Sequence, residues 1–230
     1  MFNDPKTILI AFLGGMLPSL VWLWFWLKQE EKRPEPSRLL LGTFIMGMLA
    51  VIIVVPVQKF IHSIILSSNW ELIAWAAVEE MVKYAAALAI VYKSKDLDQP
   101  LDWVIYLMTA GLGFAALENT LFLITPISLG KDVVTLMTGG LRFLGSTLLH
   151  AIASGFIGVT LGLSFYMKKS WRNFYLLFGF VFATALHSIF NFFIIKNEGT
   201  DFLKVFAFLW VISVVAMLLF EKVRRMSGEY

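Results

Sequence analysis

Three ionisable side chains interrupt an apolar run that is long enough to cross a lipid bilayer. Glu79, Glu80 and Lys83 sit inside the stretch from Trp70 to Val91, and about 20 apolar residues suffice to span the hydrocarbon core. A charge near the centre of a spanning helix costs roughly 2.5–3.5 kcal/mol on the insertion scale, so the three unpaired would cost ~8–10 kcal/mol together. Helical spacing supplies part of the remedy. Glu79 and Lys83 are i,i+4 and Glu80 and Lys83 are i,i+3, so one ammonium can reach both carboxylates. One negative charge is left over, and in a low-dielectric medium it needs a proton, a metal or another cation. A carboxyl group that exchanges a proton is what general acid or base chemistry requires. The plainer reading is a buried ion pair that ties two helices together.

Composition sets the class. The chain has 230 residues, 59% of them hydrophobic and 15% charged, with a mean hydropathy of +0.77, which excludes an ordinary soluble globule. The fold expected is all-α, a polytopic membrane bundle of about seven transmembrane helices. No low-complexity segment divides it, so residues 1–230 read as a single integral-membrane domain with a functional core at about 70–195. Cysteine is absent, which removes disulfides and thiol nucleophiles. The net charge of +3 is small and the basic residues lie in short loops, so no nucleic-acid partner is expected; lipid is.

The apolar segments follow one another with short polar breaks. Ile8 to Leu27 is the first, too long for a signal-peptide core and without a small-residue cleavage site; its terminal Trp22, Trp24 and Trp26 read as a membrane-interface cluster. Leu39 to Val57 is the second, expected to end near Pro56, with Gln58 to Asn69 along the surface and His62 a loop histidine. The third holds the Glu-Glu-Lys group. The fourth, Leu101 to Ile124, starts at Pro100, ends at Thr125-Pro126 and contains Glu118 and Asn119. The fifth, about Leu141 to Met167, carries Arg142, His150 and a small-residue ridge of Ser154, Gly158 and Gly162 that suits close helix packing. The sixth, Phe174 to Ile195, places His187 and Asn191 on one face, and Phe202 to Phe220 is the seventh.

Loop charges orient the bundle. The loops at 28–38, 93–99 and 168–172 together with the tail hold twelve of the nineteen Lys and Arg residues, and the opposite side holds six. The amino terminus is therefore expected outside and the carboxyl terminus in the cytoplasm. At about 1.5 Å per residue from the outer end of each span, Glu79 and Glu80 lie ~14 Å deep, Glu118 ~9 Å, His150 ~13 Å and His187 ~12 Å. Groups on four helices of alternating direction thus share one level, which predicts a single cluster in the outer half of the membrane.

Such a cluster can activate water, hold a metal, relay protons or staple helices. His-Glu-x-x-His and Gly-x-Ser-x-Gly are both missing, so water activated by carboxylate or metal is the simplest hydrolytic route. A proton-coupled transporter is the main alternative, and it predicts polar groups strung through the full membrane thickness. A non-catalytic scaffold is another. A metal is undecided between none and a single zinc; if bound, Glu80, Glu118, His150 and His187 are the expected ligands.

Four motifs carry a resemblance. Glu79-Glu80-x-x-Lys83, Phe114-x-x-x-Glu118-Asn119, Arg142 followed by His150, and His187-x-x-x-Asn191 are similar in order and spacing to those of the PrsW family of intramembrane proteases. More distantly they resemble CAAX-prenyl endopeptidases and bacteriocin-processing enzymes, which are thought to work with Glu, His and Asn alone. The resemblance implies a protease that makes the first, extracytoplasmic-side cut in a membrane-anchored anti-sigma factor or similar single-pass protein. It implies Glu79 or Glu80 as the base that activates water, with Lys83 holding the other carboxylate. Glu118 and His150 would position water or bind a metal, and His187 and Asn191 would stabilise the oxyanion. Asn119 and Asn191 have interhelical hydrogen bonding as their plainer role, and Arg142 is most simply an interfacial anchor. Asn191 stands where the family usually has aspartate.

Overall fold

The computed structural model describes residues 4–29, 34–65, 67–131, 145–193 and 202–228. Among them are seven helices and no strand: α1 (Pro5–Leu27), α2 (Ser37–Ile64), α3 (Ser68–Val91), α4 (Pro100–Ser128), α5 (Thr147–Leu163), α6 (Lys169–Asn191) and α7 (Phe202–Met226). The chain is an all-helical, multi-pass membrane bundle. Helices α1, α2, α4, α6 and residues Phe206–Met226 of α7 are each long and apolar enough to span a bilayer. The 24-residue α3 has the length but carries Glu79, Glu80 and Lys83, and α5 has 17 described residues, ~25 Å at the helical rise. Arg142 lies outside the described residues.

The central element is α4. Of its most apolar window 72% is buried, against 17–33% for the other four spans, so α4 is clad by protein and the others face lipid. The sequence starts it firmly. Pro100 occupies its first turn, and Asp102 Oδ2 accepts the backbone N–H groups of Asp98 (2.8 Å) and Gln99 (2.6 Å), satisfying donors that a helix end leaves open. Small residues then let neighbours close in on it. A Cβ at Gly113 would lie 2.0 Å from the Phe44 carbonyl oxygen, and one at Gly47 2.1 Å from that of Ala110, so α2 and α4 cross backbone to backbone. On α5, a Cβ at Gly158 would sit 2.5 Å from the Val104 Cα; the small-residue ridge packs α5 against α4. Between helices in lipid, where apolar burial gives no advantage, such close van der Waals approach is the main attraction.

Three sequence expectations need correction. Neither Pro56 nor Pro126 ends its helix: α2 runs on to Ile64 and α4 to Ser128. A proline removes one intrahelical bond, but within a bundle neighbouring groups take up the loss. Residues 58–64 are therefore the last turns of α2 and His62 is helical, its Nδ1 2.6 Å from Glu71 Oε1 on α3. Nor does Trp26 face outwards as part of an exposed aromatic cluster. It is 1% exposed, its ring 5.5 Å from that of Phe220 on α7, whereas Trp24 is exposed.

Candidate active site

Successive residues on a helix point about 100° apart, and α3 uses this to send its paired glutamates to different neighbours. Glu80 is fully buried. Its Oε1 accepts from the Lys83 ammonium at 2.7 Å and lies 2.9 Å from His187 Nδ1 on α6, and its Oε2 accepts from the Ser154 hydroxyl on α5 at 3.0 Å. Both oxygens are thus occupied. Glu79 turns towards α2 instead: Oε1 accepts from the Gln58 side-chain amide at 2.8 Å. Its Oε2 is buried yet accepts no hydrogen bond among the described residues, lying 3.6 Å from His187 Nε2 and 3.7 Å from Lys83 Nζ.

Lys83 joins the halves of the cluster. Fully buried, its Nζ is 2.7 Å from His150 Nδ1 on α5 and 4.5 Å from the centre of the Phe114 ring on α4. An ammonium has donors only, so His150 Nδ1 accepts and a neutral ring carries its hydrogen on Nε2. That Nε2 faces Glu118 Oε2 at 3.1 Å. His187 is held from the other side of the cluster. Its Nδ1–H donates to the Glu80 carboxylate, which can only accept, and its Nε2 turns to Glu79. The two imidazoles stand edge to face, 5.0 Å apart.

A cavity of about 550 Å³ opens onto this cluster. Glu79, Glu118, His150, His187 and Asn191 line it, together with Gln58, Trp75 and apolar residues of α2 and α4. Glu80 and Lys83 lie behind that lining. Asn119 also stands back, donating from Nδ2 to Thr147 Oγ1 at 2.8 Å and so tying α4 to α5. Gln58 and Ser154 both touch the glutamates but were not among the residues picked out from sequence as site members. An uncharged amide and a hydroxyl cost little in a span and leave no strong signal. The i,i+4 spacing of Ser154 from His150 was the one available clue.

The pocket's donor set suits a divalent metal. Donor atoms of Glu79, His150 and His187 lie within 4.8 Å of one another, and the Oε2 of Glu79 is a buried acceptor without a donor. Glu80 holds His187 by the far ring nitrogen, the usual outer support of a ligating imidazole. His150 would join them through Nε2, the ring nitrogen that faces Glu118. The carboxylate in this set is Glu79, where the sequence expectation named Glu80 and Glu118.

Buried carboxylates and imidazoles around a pocket inside a helical membrane bundle suit an intramembrane hydrolase, and similarity to known proteins gives that class. The chain belongs to the PrsW family: the model of "PrsW family intramembrane metalloprotease" matches residues 35–219. It is similar to Protease PrsW of Geobacillus kaustophilus, 29% identical over 188 residues and 80% of each chain. It is also similar to Protease PrsW of Oceanobacillus iheyensis, 27% identical over 89% of this chain and 91% of the relative, and of Bacillus subtilis, 24% identical over 86% and 89%. No solved structure matches it. The protein is a PrsW-like intramembrane endopeptidase.

Proposed function

We propose that this endopeptidase cuts a single-pass, membrane-anchored protein on the extracytoplasmic side, an anti-sigma factor or a similar regulator, using water activated by Glu79. The observation that carries the reading is the Glu79 carboxylate. It is the member of the glutamate pair that lines the cavity, with one oxygen held by Gln58 and the other without a donor. Water there gives its proton to Glu79 Oε2 while its oxygen attacks the scissile carbonyl carbon. The Asn191 amide, on the cavity wall, is the donor available to the developing oxyanion. The proton on Glu79 then passes to the leaving amine. Lys83 and Glu80 hold the two imidazoles by their Nδ1 atoms. Were Glu79, His150 and His187 instead to hold a metal, Glu79 would be a ligand rather than the base, and the ion would lower the pKa of bound water and polarise the carbonyl.

The cavity's rim supports a substrate that arrives from the bilayer. Val55 of α2 and Leu121 and Phe122 of α4 line the cavity and are also exposed, by 37%, 46% and 54%. In a lipid-facing bundle that exposure is towards acyl chains. Helix α1 does not obstruct it, since α1 packs its Gly15 on the Ala116–Thr120 face of α4, opposite to Glu118 and Leu121.

The transporter reading has less support. Another buried carboxyl group, Glu35, accepts from the Tyr106 hydroxyl near the start of α4. From Leu107 to Leu117, however, α4 carries no ionisable residue, ~16 Å of helix at the standard rise. The test is to compare membrane proteins in cells carrying the natural chain, Glu79→Gln or Glu80→Ala. A single-pass protein that accumulates uncut in both variants, at equal abundance of the protease, is the expected result. An unchanged cleavage pattern would refute the assignment.

A further inference from the structure

We infer that Gln58 is a positioning residue for Glu79, an inference that rests on the reading of Glu79 as the water-activating base. Gln58 lies on α2, outside the four motif-bearing helices. Its Nε2 donates to Glu79 Oε1 at 2.8 Å, and its own backbone carbonyl accepts from the Trp75 indole N–H at 3.2 Å. Trp75 is one turn before Glu79 on α3. The two contacts are therefore reciprocal: α3 holds the α2 backbone at residue 58, and the side chain of that same residue holds the carboxylate of α3. One turn further out, His62 and Glu71 join the same two helices again.

The need for such a hold comes from Lys83. Its ammonium is 2.7 Å from Glu80 but 3.7 Å from Glu79 Oε2, too long for a hydrogen bond. In a low-dielectric interior the pull of that charge on a carboxylate is strong. Rotation of Glu79 into a direct contact would shift the carboxylate that lines the cavity and tie up the acceptor that water needs. Gln58 opposes that rotation. A neutral amide does so without supplying a second cation, which would compete for the same oxygen.

The test uses the full chain reconstituted in lipid, with the membrane protein that accumulates uncut in Glu80→Ala cells as substrate. Gln58→Leu keeps most of the volume and removes the donor. It is expected to lower kcat by about 10- to 100-fold, the usual effect of losing an outer-shell partner, with KM within about twofold and the thermal midpoint unchanged. Added to Glu79→Asp, whose shorter carboxylate is out of the amide's reach, Gln58→Leu should cost less than about threefold, because coupled residues are not additive. A rise in KM at constant kcat would make Gln58 a substrate contact and overturn the inference. So would a lowered midpoint with kcat per folded molecule intact, or equal losses in both backgrounds. Full activity of Glu79→Gln would sink the parent reading and this inference together, whereas loss in Glu79→Gln beside a normal Gln58→Leu sinks the positioning role alone.

Discussion

The ammonium of Lys83 lies 2.7 Å from the Nδ1 of His150, 67 residues further along the chain. The same nitrogen donates to Glu80, so one cation links the paired-glutamate helix to the histidine of α5 and sets that histidine's tautomer. Truncation of either partner should be felt at both ends.

Removing the cation alone strands a buried carboxylate. Lys83→Met should destabilise the bundle by about 3–5 kcal/mol, the typical result of breaking a buried pair from one side. Adding Glu80→Gln removes the orphaned charge and should recover much of that loss, though not cleavage. Thermal unfolding in detergent, read for both single variants and the double, checks this; strict additivity would refute the coupling.

The two glutamates should separate stability from activity. Glu79 has one hydrogen bond and faces the cavity, whereas Glu80 has three partners on three helices. Glu79→Gln is expected to abolish cleavage with the melting temperature nearly unchanged. Glu80→Gln should lower both, measured on the same preparations.

Metal content gives an independent readout. Elemental analysis of purified protein should find up to one zinc per chain, lost in Glu79→Ala and His187→Ala and retained in Asn119→Ala, because Asn119 stands outside the donor set. Chelation should remove cleavage together with the metal. Metal that persists in both Glu79→Ala and His187→Ala would place the ion elsewhere.

Backbone contact between α2 and α4 predicts a steep response to one methyl group. In Gly113→Ala the new carbon meets a carbonyl oxygen, which cannot move without shifting α2, and overpacking of this kind costs roughly 1–3 kcal/mol. Gly14→Ala meets the end of the flexible Leu123 side chain at 2.8 Å and should cost far less. Unfolding midpoints of the two variants, side by side, decide it.

Much of this protein could be read from its residues. Charges in mid-span, and their common depth on four helices, pointed to one buried cluster, and the structure brings Glu80, Lys83, His150, Glu118 and His187 into a connected set. The apolar runs likewise pointed to the seven helices among the described residues, since only a fully hydrogen-bonded backbone is tolerated in lipid. The prolines misled because a proline's cost depends on what surrounds the freed carbonyl, which local sequence does not contain. That error also hid Gln58, which lay in a stretch assigned to the surface. Whether Glu79 or Glu80 meets the cavity was beyond the pattern as well. Two adjacent helical residues differ by about 100° in direction, and only the packing of α2 on one side of α3 and of α5 and α6 on the other decides which carboxylate is enclosed and which is left on the cavity wall.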